Sequence, residues 1–479
     1  MNAAIIWIFF PLLAAAFLYI LRRYTLLVQI FGIIIVIFLA FLAWQLPIGR
    51  PIVLGPWQAL PKLLITPSLS ILGRQFVLED SARSALMIIY IGASIWFIGS
   101  TGIKISRLFI PLGLAIAAIL TASISVEPFI YAALLIEMAV IICVPILSPP
   151  GAPVSRGVLR FLVFQTIGMI LLVFSSWVVG QVELNKIDTH LTIRAVTLLA
   201  LGFMMAMSAF PFNTWVTLVA ENAHPYEVAF VFFTLPELVS LFAYSLFVRY
   251  NWLQQTSTLY LLFSLLGLLM IVGGGVLAFF QNNLGRILGY AVITEIGIFI
   301  ITIGQILTGV QKNPIGDANL IAGVPLAGFF FALLLPRGFT LALWALALTI
   351  IKQKTKSLDF QSVRGVGYSL PLVVLSLSLA GFSLAGYPLL AGYPVREVLG
   401  AGIAQQNQPL ASLTLLGYFG LAAAVVRSIS LLFKNQEGQI RQIAETRLQI
   451  FLLVSGCLIL FTVGLFPQII LSGQRALFP

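Results

Sequence analysis

Residues 286–308 read RILGYAVITEIGIFIITIGQILT. A helix of roughly 20 apolar residues is enough to cross a bilayer, so this stretch reads as a membrane span with one acid, Glu295, near its middle. A charge at the bilayer centre costs about 2.5–3.5 kcal/mol on insertion scales. The anomaly recurs. Glu137 sits in Leu134-Leu135-Ile136-Glu137-Met138, Glu237 follows Pro236, Arg337 lies between Pro336 and Gly338, and Arg396 follows Gly392-Tyr393-Pro394. A chain carries several such groups only if they pair, take up protons or line a hydrated path. A row of this kind is the minimum equipment for moving protons or small cations across a membrane.

The composition agrees. Of 479 residues, 60% are hydrophobic and 9% charged, against roughly 25% charge in a soluble domain. The sequence describes an all-α, polytopic integral membrane protein, and no connection is long enough for a soluble or cofactor-binding domain. The net charge of +11 is spread over short loops, which argues against nucleic acid and fits loop anchoring in a lipid bilayer. Cys143, Cys457, His190 and His224 have no metal-type spacing, so no cofactor or metal is expected. Both cysteines read as small apolar packers. Arg22-Arg23 follow the first apolar run rather than precede it, which predicts a first crossing helix and not a cleaved signal peptide.

Stretches able to span fall near 3–21, 26–46, 84–101, 107–125, 128–147, 157–180, 194–216, 227–248, 258–280, 286–308, 319–350, 368–393, 410–433 and 449–471. They make about 14 transmembrane helices. The stretch 319–350 contains Pro336-Arg337-Gly338 and reads as tilted, broken or double. The connection from Leu46 to Arg83 is rich in proline, which predicts irregular or extended chain. Its apolar piece, Leu63–Leu72, is too short to span. Lys and Arg favour the odd-numbered loops. That places Arg22, Arg23, Lys104, Arg107, Arg156, Lys352 and Arg447 in the cytoplasm and both termini outside.

Three spans carry breakers in their middles, at Pro211, Pro236 and Pro388. Proline frees a backbone carbonyl and bends its helix. Such groups are tolerated in a membrane where protein or water satisfies them, and discontinuous helices mark ion routes in transporters. A plain kink is the competing reading. Glu137 and Glu295 look like counterparts, each an isolated acid upstream of a broken helix. That suggests two repeats, 107–249 and 258–433, flanked by N-terminal helices with a loop (1–106) and a C-terminal loop and helix (434–479). Arginine stays charged at any accessible pH, so Arg337 and Arg396 need water or carboxylate partners. Glu295 and Glu237 are the candidates, and Glu397 stands beside Arg396. For Glu137 the alternative is a structural hydrogen bond to a neighbouring helix. For Arg396 it is snorkelling to the interface.

These residues carry a resemblance. The chain is similar to the antiporter-like membrane subunits of respiratory complex I, Mrp-type sodium/proton antiporters and membrane-bound hydrogenases, over about 107–433. Glu137 in LLIEMAVIICVPIL resembles the family's fifth-helix glutamate. Phe210-Pro211-Phe212-Asn213-Thr214-Trp215 resembles its Pro, apolar, His, x, Trp pattern, with Asn213 in place of His. Ala223-His224-Pro225 resembles its Ala-Ala-Pro, and Asn283-Leu284-Gly285-Arg286-Ile287-Leu288-Gly289-Tyr290 its Asn-x-Lys-Arg-x-Leu-x-Tyr. Glu295 occupies the place of a histidine, and Arg337-Gly338 resembles a His-Gly pair. Ala385-Gly386-Tyr387-Pro388 with Gly392-Tyr393 resembles the twelfth-helix motif, and Arg396 falls where a lysine is usual.

The departures matter. The family's seventh-helix lysine is Ala206 here, and its eighth-helix lysine region reads Leu235-Pro236-Glu237. The resemblance implies two inverted five-helix repeats with broken helices. It also implies a role as a subunit that translocates protons or sodium ions, coupled to redox chemistry or another ion gradient, beside other membrane subunits of an NADH:quinone oxidoreductase-type or related complex. No redox centre is expected in this chain. The location would be the cytoplasmic or another energy-transducing membrane. A non-conducting structural subunit is the alternative. Because Ala206 removes the lysine of the first repeat, the expected route runs through the second. Glu295 would be its titrating carrier, with Arg337 or Arg396 as fixed charges beside it.

Overall fold

The computed structural model describes residues 2–52, 63–71, 73–128, 130–149, 151, 154–184, 189–254, 257–312, 320–321, 324–434 and 444–468. The chain is helical almost throughout. A π-helical turn, Ile5–Phe9, leads into α1 (Phe10–Ile20). Then follow α2 (Thr25–Gln45), α3 (Arg83–Gly99), α4 (Phe109–Ser125), α5 (Ile130–Leu147), α6 (Arg156–Leu184), α7 (Thr189–Ala206), α8 (Thr214–Asn222) and α9 (Pro225–Arg249). A single turn, α10 (Asn251–Gln254), precedes α11 (Ser257–Phe279), α12 (Leu284–Lys312), α13 (Leu326–Thr355), α14 (Pro371–Leu384), α15 (Tyr393–Gln406), α16 (Gln408–Leu432) and α17 (Arg447–Leu465).

Ten helices are long and apolar enough to cross a membrane, and four shorter apolar ones are Ile5–Ile20, Phe109–Ser125, His190–Ala206 and Pro371–Leu384. Every expected crossing has a helix in its place. The ten long ones establish a polytopic membrane fold, while helix length alone does not carry the count to 14. From Leu326 onward the stretch that read as tilted, broken or double is one helix, α13, with Pro336 inside it.

Local chemistry sets several helix starts. Pro225 and Pro371 stand in the first turns of α9 and α14, where a missing N–H costs nothing. Thr446 and Gln449 form a capping box on α17. Asn283 Oδ1 accepts from the N–H groups of Gly285 and Arg286 at the start of α12, while its Nδ2 donates to Asp359 at 2.8 Å.

Burial sorts the helices into a centre and a rim. Among the described side chains of the span Pro225–Ala243 of α9 all are buried, and in Leu284–Gly304 of α12 94% are, against 28% in α2 and 22% in α17. The rim helices expose Leu26, Ile34, Phe38, Phe419 and Phe451, an apolar surface suited to lipid or another membrane subunit. Where α11 meets α16 the backbones touch. A side chain at Gly275 would collide with the Gly417 carbonyl, the small-residue packing that close membrane helices use.

The proline-rich connection is extended where it is described. Ser68–Ile71 pairs antiparallel with Arg74–Val77, which pairs with Val126–Glu127. At the other end of the bundle the polar loops gather. Lys352 Nζ donates to the Ala223 carbonyl at 2.9 Å, Gln353 Nε2 to Lys104 O at 3.3 Å, Gln449 Nε2 to Gly102 O at 3.1 Å, and Arg286 pairs with Glu221 at 2.8 Å.

Candidate functional site

The chain leaves helical geometry between Leu384 and Tyr393, so one apolar span becomes two half-helices, α14 and α15. Gly386 adopts φ +75°, and Leu389 stands at φ +71°, a conformation that costs a residue with a side chain of order 1–3 kcal/mol. Backbone turns close the end of α14, with Gly386 N donating to Ser383 O at 3.0 Å, and Arg396, one turn into α15, reaches back across the break. Its Nη1 donates to Ser383 O at 3.1 Å and to Gly392 O at 3.0 Å. Its Nη2 donates to Glu295 Oε1 on α12 in a buried ion pair. The guanidinium also lies 5.5 Å from the ring centroid of Tyr418 on α16. The glycines make room for this. A side chain at Gly386 or Gly392 would run into Arg396, and at Gly392 also into the Ser383 carbonyl.

The seat is buried and tight. The side chains of Arg396 and Glu295 are 7% and 8% exposed. Ser383 Oγ accepts from Gly392 N at 3.0 Å and lies 3.2 Å from Thr340 Oγ1, whose hydroxyl donates to Pro336 O at 2.7 Å. Glu295, Arg337, Thr340, Gly392 and Arg396 line one cavity with about 20 Å³ of room for a water centre, enough for about one water molecule.

Arg337 completes the group by an unexpected route. The sequence points to water or carboxylate partners, and to a broken helix at Pro236. The carboxylate candidate Glu237 has its side chain outside the described residues, and α9 runs uninterrupted through Pro236. Proline has no N–H, so the carbonyl four residues earlier loses its helical donor. That carbonyl belongs to Phe232, and Arg337 Nη2 donates to it at 2.9 Å. The guanidinium also lies 4.8 Å from the Phe299 ring centroid. Pro236 therefore creates an acceptor rather than a break, and a cation from α13 fills it.

A second break lies in the first half of the chain, with different chemistry. Between α7 and α8 the chain again leaves the helix, around Pro211, with Ser208 at φ +56°. No cation lies across this break among the described contacts. Gln165 Nε2 on α6 donates to Ala206 O at 3.0 Å, and Trp215 Nε1 donates to Ser208 Oγ at 2.9 Å. Glu137 is half-buried on α5; its Oε1 accepts from Thr166 Oγ1 at 2.7 Å, while Oε2 is buried without a partner among the described residues.

The structure thus joins Glu295, Arg337 and Arg396 at one cavity. It places Glu137 on a separate set of helices, and Glu397 points outward, exposed, on α15. The side chain of Glu237 lies outside the described residues. Sequence reasoning missed Thr340, Ser383, Tyr418, Thr166 and Gln165. Hydroxyls and amides in apolar helices are common, and only pairing across helices distinguishes these. The Phe232 carbonyl could have been found by counting four residues back from Pro236. Among the described residues, no three His, Cys, Asp or Glu side chains gather to hold a metal ion.

A family model described as "NADH:quinone oxidoreductase/Mrp antiporter, TM" matches residues 152–420. The chain belongs to this family. The match covers α6 to α16 almost entirely, and so both breaks and the Glu295–Arg396 pair. A related sequence, NADH-quinone oxidoreductase subunit N of Francisella tularensis subsp. holarctica, is 25% identical over 273 residues, 56% of this chain and 53% of that protein. The corresponding subunit N of Cytophaga hutchinsonii is 28% identical over 287 residues, 58% of this chain and 57% of that protein. The chain thus spans little more than half the length of the curated relatives it matches. The fold extends further. A chain of the Mrp complex from Dietzia sp. DQ12-45-1b superposes with a TM-score of 0.78 at 13% identity, covering 98% of this chain and 95% of that one.

Proposed function

We propose that this protein is the antiporter-like membrane subunit of a multi-subunit, energy-transducing membrane complex, and that it moves protons or small cations through its second half. The buried Glu295–Arg396 pair at the α14–α15 break carries this reading. A guanidinium does not deprotonate in proteins, so Glu295 is the member of the pair that can exchange its proton. When Oε1 takes a proton, the attraction to Arg396 falls. The guanidinium still has the Ser383 and Gly392 carbonyls and the Tyr418 ring to hold it. Arg396 is therefore a fixed seat with one exchangeable partner, and the small cavity beside it offers a water to relay the proton. Arg337, bound to the Phe232 carbonyl, would link this seat to α9 and so to the first half.

In this reading 107–249 and 258–433 are the two inverted repeats, 1–106 and 434–479 flank them, and the exposed apolar rim meets lipid and neighbouring membrane subunits. The polar end that gathers Lys104, Lys352 and Arg447 would face the cytoplasm and both termini the other side, as the excess of basic loops suggests. The test is proton and sodium flux in vesicles holding the assembled complex. Glu295→Gln, nearly constant in shape, should abolish coupled flux, whereas Glu137→Gln should reduce it less. Undiminished flux in a correctly assembled Glu295→Gln complex would overturn the proposal and leave a non-conducting structural subunit.

A further inference from the structure

A second cavity, remote from the break, opens at the polar end of the bundle. It has about 300 Å³ of room, between the start of α2 and the loop joining α3 to α4. Lys104 and Arg107 line it, with the polar side chains of Thr25, Gln29, Thr101 and Ser106. Neither cation has an acidic partner among the described residues. Glu227 on α9 is 2% exposed, and its Oε1 accepts from the Ser106 N–H at 2.8 Å. It braces the loop through that backbone N–H and makes no ion pair with Lys104 or Arg107 among the described contacts. Arg22 and Arg23, in the turn before α2, are the other charges close by in sequence, and both are basic.

The loop is held as a built feature. Besides the Glu227 contact, Gln353 at the end of α13 donates to Lys104 O and Gln449 at the start of α17 donates to Gly102 O. Three helices thus fix the backbone that carries Lys104 and Arg107. On the opposite wall Thr25 is the first residue of α2. The residue before it, Tyr24, gives no side-chain cap, so first-turn N–H groups lack a side-chain acceptor and favour an anion.

The cavity's setting selects among anions. Val28 and Ile110 form its apolar floor, and the outer face of α2 next to it exposes Leu26, Leu27 and Ile30, Leu26 to 67%. A free phosphate would use the cations and leave that apolar strip bare. A phospholipid would use both, with its phosphodiester between Lys104 and Arg107 and its acyl chains along α2. We propose that this cavity seats the headgroup of an anionic phospholipid. Bound there, the lipid bridges α2 to a loop already tied to α9, α13 and α17, and so braces the rim helix against the centre.

Native mass spectrometry of the purified, delipidated complex tests this, with phosphatidylglycerol, phosphatidylcholine or inorganic phosphate added back. Phosphatidylglycerol should be retained over phosphatidylcholine by the wild type. The Lys104→Gln/Arg107→Gln double variant should bind it roughly thirty-fold more weakly, at about five-fold per basic residue near an anionic lipid. Arg160→Gln removes an exposed cation on α6, remote in sequence from this loop, and should leave binding unchanged. Equal retention of the two lipids by the wild type would overturn the proposal even if the double variant failed to assemble. So would the same loss in Arg160→Gln, which would mean general charge attraction. Displacement of phosphatidylglycerol by millimolar inorganic phosphate would assign the cavity to a free anion instead.

Discussion

Replacing Arg396 by Met should be among the most damaging single changes available to this fold. The substitution keeps much of the volume and removes the charge. It leaves Glu295 buried without its cation and strips donors from the Ser383 and Gly392 carbonyls. Both side chains are less than a tenth exposed, so solvent screening gives little relief. Removing one partner of a buried ion pair costs about 3–5 kcal/mol, while the Ser383 carbonyl keeps its bond from the Gly386 N–H at 3.0 Å. Glu295→Gln should cost less, about 1–3 kcal/mol, because Arg396 keeps its carbonyls and the Tyr418 ring. The double variant should be more stable than Arg396→Met alone, since no carboxylate is then stranded. Thermal and denaturant unfolding of the detergent-solubilised complex, followed by tryptophan fluorescence, measures all four corners of this cycle. Penalties that add to within about 0.5 kcal/mol would mean that the two groups are uncoupled, and the account of the break would fall with them.

Two further outcomes follow from other contacts. Arg337→Met should destabilise the protein by about 1–3 kcal/mol by orphaning the Phe232 carbonyl. In a Pro236→Ala background, where residue 236 supplies its own N–H, the same change should cost measurably less in the same unfolding assay; equal costs would refute the cap. The second concerns pH. His224, at the start of α9, is held down to about 4 by burial and then by the nearby Lys352 charge. Between its ordinary value of 6.5 and about 4 the unfolded chain binds the proton and the folded chain does not. The contribution of His224 to stability should therefore fall as pH drops through that window, by up to about 1.4 kcal/mol per pH unit. His224→Gln should flatten that slope, as read from melting temperature between pH 7 and pH 4.5.

Much of the fold was legible because the signal is coarse. Apolar runs of spanning length are hard to mistake, and each has its helix. The break at Gly386–Pro388 was legible too, since glycine and proline act locally. Pro236 misled because its effect is not local when a donor exists elsewhere. Whether a proline interrupts a helix depends on what satisfies the freed carbonyl, and that donor, Arg337, lies 105 residues away in the chain. The site was half legible for the same reason. An arginine inside an apolar span announces a need for partners, and Glu295 was a candidate for Arg396. The backbone carbonyls that share the guanidinium carry no side-chain signature, so no pattern of residue types could have named Ser383 O or Gly392 O.

The two breaks, set side by side, give the proposed difference between Glu295 and Glu137 a physical basis. Both interrupt an apolar helix, and at both a side chain donates to a backbone carbonyl at the break. At the first break the donor to Ala206 O is the amide of Gln165, which is neutral and needs nothing in return. The helices there also close in: a side chain at Gly168 would stand 3.0 Å from the Ala206 nitrogen. Beside it, α3, α4 and α9 are packed by Trp96, Phe109, Tyr226 and Phe230, ring against ring. At the second break the donor is a guanidinium, and a buried guanidinium is most stable with a negative charge beside it. That preference makes Glu295 part of the structure of the break, and it makes the protonation of Glu295 a change the break must feel. A neutral cap can close an interrupted helix permanently. A charged cap ties the state of the backbone to the state of an acid, and a subunit that moves ions needs that connection.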